Sequence, residues 1–315
     1  VVITHFAIIP YVRPVVLTGG PRTGWHLRLT DASGRVGWGD AAPWPGFGPA
    51  VSDVPGALEV LCTALCDGAA VDEDLFATTP AVVVHAVSLA LADLGAQERG
   101  VPLGALYGES PSSVVRSHIL VNDAQQARVA IEQGATTLKL KLGRASLIED
   151  LARVARVRAV APDAALRLDI NGRWTQSQAE AALDGLAVHR PDFVEQPLPA
   201  GDFEGHARLT RAFSTPIALD ESVVLDASAA LDVADVVVLK PMFIGELAAT
   251  MALSAAAKVR ESGVCLTHAL GSMVEQMGVR HLAAALADEA VHGVGRPDEG
   301  DRVRLPTAPG LGVCP

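Results

Sequence analysis

Two hydrophobic rhythms divide this chain. Over residues 1–40 apolar and polar positions alternate, and turn signals stand at Thr18-Gly19-Gly20-Pro21 and Asp31-Ala32-Ser33-Gly34, a pattern that predicts a small antiparallel sheet. Residues 50–107 change to a helical pattern. The apolar, Ala-rich run Ala81 to Ala96 ends near Gly100-Val101-Pro102 and Gly104, so residues 1–110 read as an α+β unit. From Val114 short β-branched runs alternate with amphipathic helical stretches about every 25 residues, the signature of βα units and a parallel sheet. The strands lie at Ser117–Val121, Leu138–Leu142, Leu166–Ile170, Phe193–Glu195, Ile217–Asp220, Val236–Lys240, Val264–Thr267 and Ala290–Val294. Eight of them, most followed by a helix, point to a closed barrel over residues 111–295. The Pro- and Gly-rich tail 296–315 is expected to leave the barrel and pack on the first unit.

The polar residues that close these runs carry the chemistry. In (β/α)8 barrels active sites form where strands end and βα loops begin. Here successive strands end in Lys139-Leu140-Lys141, Asp169-Ile170-Asn171, Glu195-Gln196-Pro197, Asp220-Glu221 and Lys240-Pro241. Side chains alternate along a strand, so Lys139 and Lys141 share one face, as do Arg167, Asp169 and Asn171. Asp169, Glu195 and Asp220 come from neighbouring strands, and three converging carboxylates raise one another's pKa unless a cation neutralises them. Hard oxygen donors favour Mg²⁺, and no Cys/His set suits zinc. The alternative for each acid alone is a cap on the following helix. A Mg²⁺ with open positions can bind a substrate carboxylate and stabilise the dianion formed when the adjacent carbon loses its proton to a neutral lysine. The nearby metal and second ammonium would lower the pKa of each lysine toward the working range.

Composition sharpens this reading. Of 25 Lys plus Arg only four are Lys, and three of those close strands. Arginine stays charged, whereas lysine can be tuned to lose its proton. A net charge of -11 and the absence of a basic block argue against a nucleic-acid partner. The first twenty residues lack the layout of a signal peptide, and no apolar run is expected to reach the length of a membrane span, so the expected location is the cytoplasm. Cys62, Cys66, Cys265 and Cys314 form no CxxC; Cys62 and Cys66 read as small buried residues on one helix face in a reducing compartment.

Taken together, Lys139-x-Lys141, Asp169-x-Asn171, Glu195-Gln196-Pro197, Asp220-Glu221-Ser222 and Lys240-Pro241 resemble the enolase superfamily, in its muconate-lactonizing-enzyme subgroup. The use of a Lys or His base with Mg²⁺ in that superfamily is general knowledge. The resemblance implies a modified (β/α)8 barrel of the (β/α)7β type, with residues 1–110 as an α+β capping domain. Within the subgroup, Gly37-Trp38-Gly39-Asp40-Ala41-Ala42-Pro43-Trp44-Pro45-Gly46-Phe47 is most similar to the o-succinylbenzoate synthases. These carry out the syn dehydration of 2-succinyl-6-hydroxy-2,4-cyclohexadiene-1-carboxylate in menaquinone synthesis. By that resemblance Lys141 abstracts the proton and returns it to the leaving hydroxyl, Lys240 stabilises the charged intermediate from the opposite face, and Lys139 tunes Lys141. Asp169, Glu195 and Asp220 would hold Mg²⁺, with Mn²⁺ as a substitute, and Asn171 and Glu221 would support them. Arg167 is a candidate for the succinyl carboxylate. Trp44, Phe47 and the Gly19-Gly20 turn would form a lid, or else serve as interface aromatics and turn glycines. His268 and Ser272, after the seventh strand, are further candidate contacts, with a packed, hydrogen-bonded role as the alternative for His268. Two departures stand out: Asp40 where the family usually has Glu, and His268 where a small Ser or Thr is expected.

The rivals are an N-acylamino acid racemase or dipeptide epimerase of the same subgroup, in which two facing lysines exchange a proton between substrate faces. Against the epimerase, Ala290 to Asp298 offers no Asp-x-Asp pair for a substrate ammonium. A non-catalytic barrel used as a binding protein would be expected to have lost part of this set.

Overall fold

The computed structural model describes residues 1–15, 20–44, 48–69, 75, 76, 78–296 and 299–315. Three antiparallel strands open the chain: β1 (Ile3–Val15), β2 (Gly20–Asp31) and β3 (Val36–Ala41), in that order across the sheet. The Asp31 turn joins β2 to β3, its carboxylate accepting from the Ser33 and Arg35 backbone N–H groups at 2.9 Å each. Helices α1 (Val54–Cys66) and α2 (Ala81–Arg99) follow.

α2 explains its own composition. Val83, Ala86, Val87, Ala90 and Leu94 pack with Leu27, Leu29 and Leu58 of the first unit, whereas Leu89, Ala92 and Ala96 pack into the barrel core. A helix buried on both sides has little reason to be amphipathic. The expectation about apolar length is corrected here: by length and composition α2 could cross a membrane, yet 67% of its most apolar window is buried inside the protein.

The barrel is built from β4 (Val114–Ser117), β5 (Ile119–Val121), β6 (Thr137–Lys141), β7 (Ala165–Asp169), β8 (Phe193–Glu195), β9 (Ile217–Leu219), β10 (Val236–Leu239), β11 (Gly263–Leu266) and β12 (Val291–His292). β5 to β11 form one parallel seven-stranded sheet in chain order. The first barrel strand is interrupted at His118. Its β4 half pairs in parallel with β12, and β12 reaches β11 through the Thr267–Gly293 bridge and the bond from Gly293 N–H to Leu266 O at 2.8 Å, which closes the ring. Leu138, Leu140, Leu166, Leu168 and Ile170 are fully buried on the alternate positions to the inward lysines and acids, as a strand period of two requires. Between the strands run α3 (Ala124–Glu132), α4 (Leu147–Val160), α5 (Gln176–Leu186), α6 (Phe203–Ala212), the short α7 (Glu221–Leu225) and α8 (Ala227–Leu231), α9 (Pro241–Ile244) and α10 (Leu247–Val259); α11 (Met273–Ala285) precedes β12. The tail departs from a simple exit. Its strand β13 (Arg302–Arg304) pairs antiparallel with β4, and only then do Gly310 and Leu311 bond to Val101, Leu103 and Asp93 beside α2.

The first unit sits over the strand ends through α9, whose Met242 and Phe243 join its hydrophobic core together with Ala269. Polar contacts fix the same seam. Asp40 accepts from Tyr11 Oη at 2.8 Å and from Ser272 N–H at 2.6 Å, and Arg13 donates to Gly271 O. Asp40, which departs from the family pattern, thus ties β3 to the loop after β11.

Candidate active site

Register brings the strand ends together. Lys141 lies opposite Asp169, and Asp169 opposite Glu195; Glu195 is level with Ala218, so Asp220, just past the end of β9, stands two residues higher. That stepwise rise follows from barrel shear. Lys139 Nζ donates to both oxygens of Glu195, at 2.8 and 2.7 Å, and lies 3.0 Å from Asp169 Oδ2. Lys141 Nζ lies 3.3 Å from Asp169 Oδ2 and donates to Asn171 Oδ1 at 3.2 Å. Lys240 pairs with Asp220 from β10. Asn171 Nδ2 donates to Glu221 Oε1 at 3.2 Å, so one amide links Lys141 to Glu221.

The acids are not helix caps. Ser146, Thr175, Asp202 and Asp226 cap the helices after the strands with their own side chains, and Asp220, at the N-terminus of α7, makes no cap bond. Gln196, quoted above only as part of a motif, holds this corner in place. It is fully buried, with φ of 44°; its Oε1 accepts from Asp220 and Ser222 N–H, and its Nε2 donates to Ser222 Oγ and Leu198 O.

The charges do not balance evenly. Burial would lower the pKa of Lys139, but Asp169 and Glu195 overturn that and raise it; burial is likewise overcome at Lys240 by Asp220 and Glu221. The nearest partners of Lys139 and Lys240 are thus carboxylates, the same side chains expected to hold the metal. Burial and then Asp169 raise Glu195 above the usual carboxylate range even though Lys139 donates to both its oxygens, and burial and then Asp220 raise Glu221. Asp220 Oδ1 and Glu221 Oε2 are buried without a hydrogen-bond partner. Raised acids and orphan oxygens are what a divalent cation with oxygen ligands relieves. The donor chemistry fits Mg²⁺. Among the described residues, however, no three His, Cys, Asp or Glu side chains stand close enough to enclose an ion, because ammonium groups lie between the acids.

Above the acids opens a cavity of about 610 Å³. Lys139, Lys141, Asp169, Asn171, Asp220, Glu221 and Lys240 from the strand ends line it, together with Trp44, His118, Phe243 and His268. Several sequence candidates land elsewhere. Arg167 does not line the cavity: its guanidinium meets Asp192 at 2.8 Å, Val291 O at 2.6 Å and the Phe193 ring, and stands behind the lining, 3.3 Å from His118 Nδ1. Sharing an inward face with Asp169 set its direction but not its depth, and the substrate-binding role is withdrawn. Ser272 is the N-cap of α11, its Oγ accepting from Val274 N–H at 3.1 Å, and lies outside the lining. Gly20 opens β2 away from the lining, and Gly19 and Phe47 lie outside the described residues. His268 faces the cavity but its Nδ1 accepts from Leu270 N–H at 3.3 Å; burial, then Arg280, push it down to about 4, so it stays neutral. Trp44 lines the mouth with the Arg22 guanidinium 4.7 Å from its ring. Missed altogether were His118, Arg13, Arg144, Arg173 and Arg296, all in the lining. Arg144, Arg173 and Arg296 lie outside the strands and helices, where the sequence carries no periodic signal, and Arg13 lies near the end of β1.

A capped (β/α) barrel with lysines and carboxylates interleaved at its strand ends defines an acid–base enzyme class rather than a mere scaffold. Comparison with known proteins gives the class its family. Residues 122–315 match the family described as enolase C-terminal domain-like, and the chain belongs to the enolase superfamily, in its muconate-lactonizing-enzyme subgroup. The o-succinylbenzoate synthase of Thermosynechococcus vestitus is 34% identical over 64% of this chain, an alignment that spans 62% of that protein. The L-Ala-D/L-Glu epimerase of Bacillus subtilis is 29% identical over 91% of this chain and 88% of that protein. Among solved structures, the dipeptide epimerase from Enterococcus faecalis complexed with Mg and the dipeptide L-Leu-L-Tyr superposes with a TM-score of 0.88 at 23% identity, covering 99% of both chains. The protein is thus an enolase-superfamily enzyme, in a superfamily whose members bind Mg²⁺.

Proposed function

We propose that this enzyme is an o-succinylbenzoate synthase, a carbon–oxygen lyase of menaquinone synthesis that dehydrates 2-succinyl-6-hydroxy-2,4-cyclohexadiene-1-carboxylate. One observation carries the choice. The acids among the described lining residues, Asp169, Asp220 and Glu221, all come from the strand ends that carry the lysines, while Arg13, Arg144, Arg173 and Arg296 add four guanidinium groups to the same lining, those of Arg13 and Arg296 already bonded to Gly271 O and Glu299. That distribution suits a substrate with two carboxylates and leaves a dipeptide's ammonium facing no acid. The synthase from Thermosynechococcus vestitus adds support through its identity to this chain. On this reading the chain divides into a capping domain of residues 1–110 joined by 296–315 and a barrel of 111–295, and it works in the cytoplasm.

Asp169, Glu195 and Asp220 would hold Mg²⁺, which supplies positive charge at the substrate carboxylate when bound. Lys141, with its side chain one-third exposed to the cavity, takes the proton from the carbon beside that carboxylate. The same ammonium then returns the proton to the departing hydroxyl as the C–O bond breaks, so a base and acid on one face complete a syn elimination and water leaves. Lys240, held by Asp220, faces the developing charge from the other side. Asn171 restrains the Lys141 amine, and Glu221 anchors Asn171.

The position of Lys141 on β6 and Lys240 in the same lining also favours a second reading, N-acylamino acid racemisation, in which each lysine serves one face. Assay with Mg²⁺ separates the two. Rapid conversion of the cyclohexadiene carboxylate, with a loss on the order of a thousandfold in kcat for Lys141→Arg, is the expected result. Solvent deuterium entering an N-succinylamino acid at high kcat/KM, with the cyclohexadiene carboxylate left unconverted, would replace the synthase by the racemase.

A further inference from the structure

We propose that Arg144 and Arg173 form a paired subsite that binds a second carboxylate of the substrate, remote from the one beside the reacting carbon. The proposal deepens the synthase reading and rests on its placement of the reacting carbon at Lys141.

The two arginines are delivered by equivalent devices. β6 and β7 are adjacent parallel strands, and each passes from an inward polar group through a left-handed glycine to an arginine: Lys141 through Gly143 (φ 79°) to Arg144, and Asn171 through Gly172 (φ 69°) to Arg173. A left-handed glycine redirects the chain at little steric cost, so each arginine leaves its strand axis. Both loops are pinned from below. Gly143 N–H donates to Asp150 at 2.7 Å, a carboxylate only 1% exposed, and Gly172 N–H donates to Gln196 O at 2.7 Å. They also touch, since a Cβ built on Gly143 would lie 3.0 Å from both Arg173 Cβ and Ile170 O.

Both arginines line the same cavity as Lys141. Neither has a hydrogen-bond or ion-pair partner among the described residues. The contrast with Arg153 on the same side is direct: it donates to Lys141 O at 3.1 Å and to Asp150 at 3.3 Å. Two like charges lining one cavity from touching loops repel, and a carboxylate bound by both would relieve that repulsion while gaining charge-assisted hydrogen bonds. In a chain of net charge -11, two unpaired cations in the cavity lined by Lys141 are a selective feature for a dianion.

Calorimetry of o-succinylbenzoate and of its terminal amide, with Mg²⁺ present, tests this on the wild type and on the Arg144→Gln/Arg173→Gln variant. Both side chains are exposed, and melting curves check that the variant folds; if it does not, Arg144→Gln and Arg173→Gln are measured singly. The wild type is expected to prefer the diacid by roughly tenfold to a hundredfold, and the variant to lose most of that preference with little change in amide binding. A preference that survives in the variant overturns the arginine assignment and leaves the synthase reading standing. A wild type that dehydrates the cyclohexadiene carboxylate yet binds diacid and amide equally also overturns the subsite, and one that binds neither overturns both.

Discussion

Asp31 condenses a turn into one side chain. Its Oδ1 accepts from the Ser33 and Arg35 backbone and from Ser33 Oγ, and its Oδ2 from Arg35 Nε. Against the push of burial, those bonds from Ser33 and Arg35 hold the carboxyl down to about 2, from an ordinary 3.8. The unfolded chain therefore takes up the proton first as pH falls. The stabilisation is complete above the unfolded value and is lost between roughly pH 4 and 2. Asp31→Asn should lower the denaturation midpoint near neutrality and flatten its fall over that acid range, measured by urea titration; parallel curves for variant and wild type would deny the role. The same scale shows where legibility stops. Lys139, Lys141 and Lys240 were conspicuous because lysine is rare and closes strands, whereas Arg144 and Arg173 were lost among 21 arginines.

At the scale of elements, the Gly37-Trp38-Gly39 run was visible as a motif, but its cause was not. β3 lies directly on α2, where a Cβ on Gly37 would strike Ala90 O and one on Gly39 would strike Ala86 O. Both obstacles are helix backbone and cannot swing aside. Gly39→Ala should accordingly destabilise the protein by about 1–3 kcal/mol, read as a lower denaturation midpoint, while an unchanged midpoint would show that sheet and helix can part without cost. The helix-cap chemistry of Ser146 and Thr175, by contrast, is local and complete in the sequence, each with its Glu149 or Gln178 three residues on.

For the molecule as a whole, the distribution of charge matters more than its sum. Three buried acids meet the ammonium groups of Lys139 and Lys240, and raised Glu195 and Glu221 mark the remaining shortage of positive charge. Chelation should abolish turnover and Mg²⁺ should restore it. Mg²⁺ should also raise Tm by a few degrees at roughly a hundredfold excess over its Kd, and Asp220→Asn should fold but lose that rise. Full turnover after exhaustive chelation would refute the metal assignment. The sequence by itself determined the barrel and the identity of the groups at its rim, because strand period, helix period and the residues that close each run are local properties of the chain. Only the tertiary structure decided depth and neighbours: that Arg167 stands behind the cavity lining, that Asp40 reaches the loop after β11, and that two loop arginines line one cavity. Those outcomes depend on strand register, barrel shear and contacts between residues far apart in sequence, none of which a periodic pattern encodes.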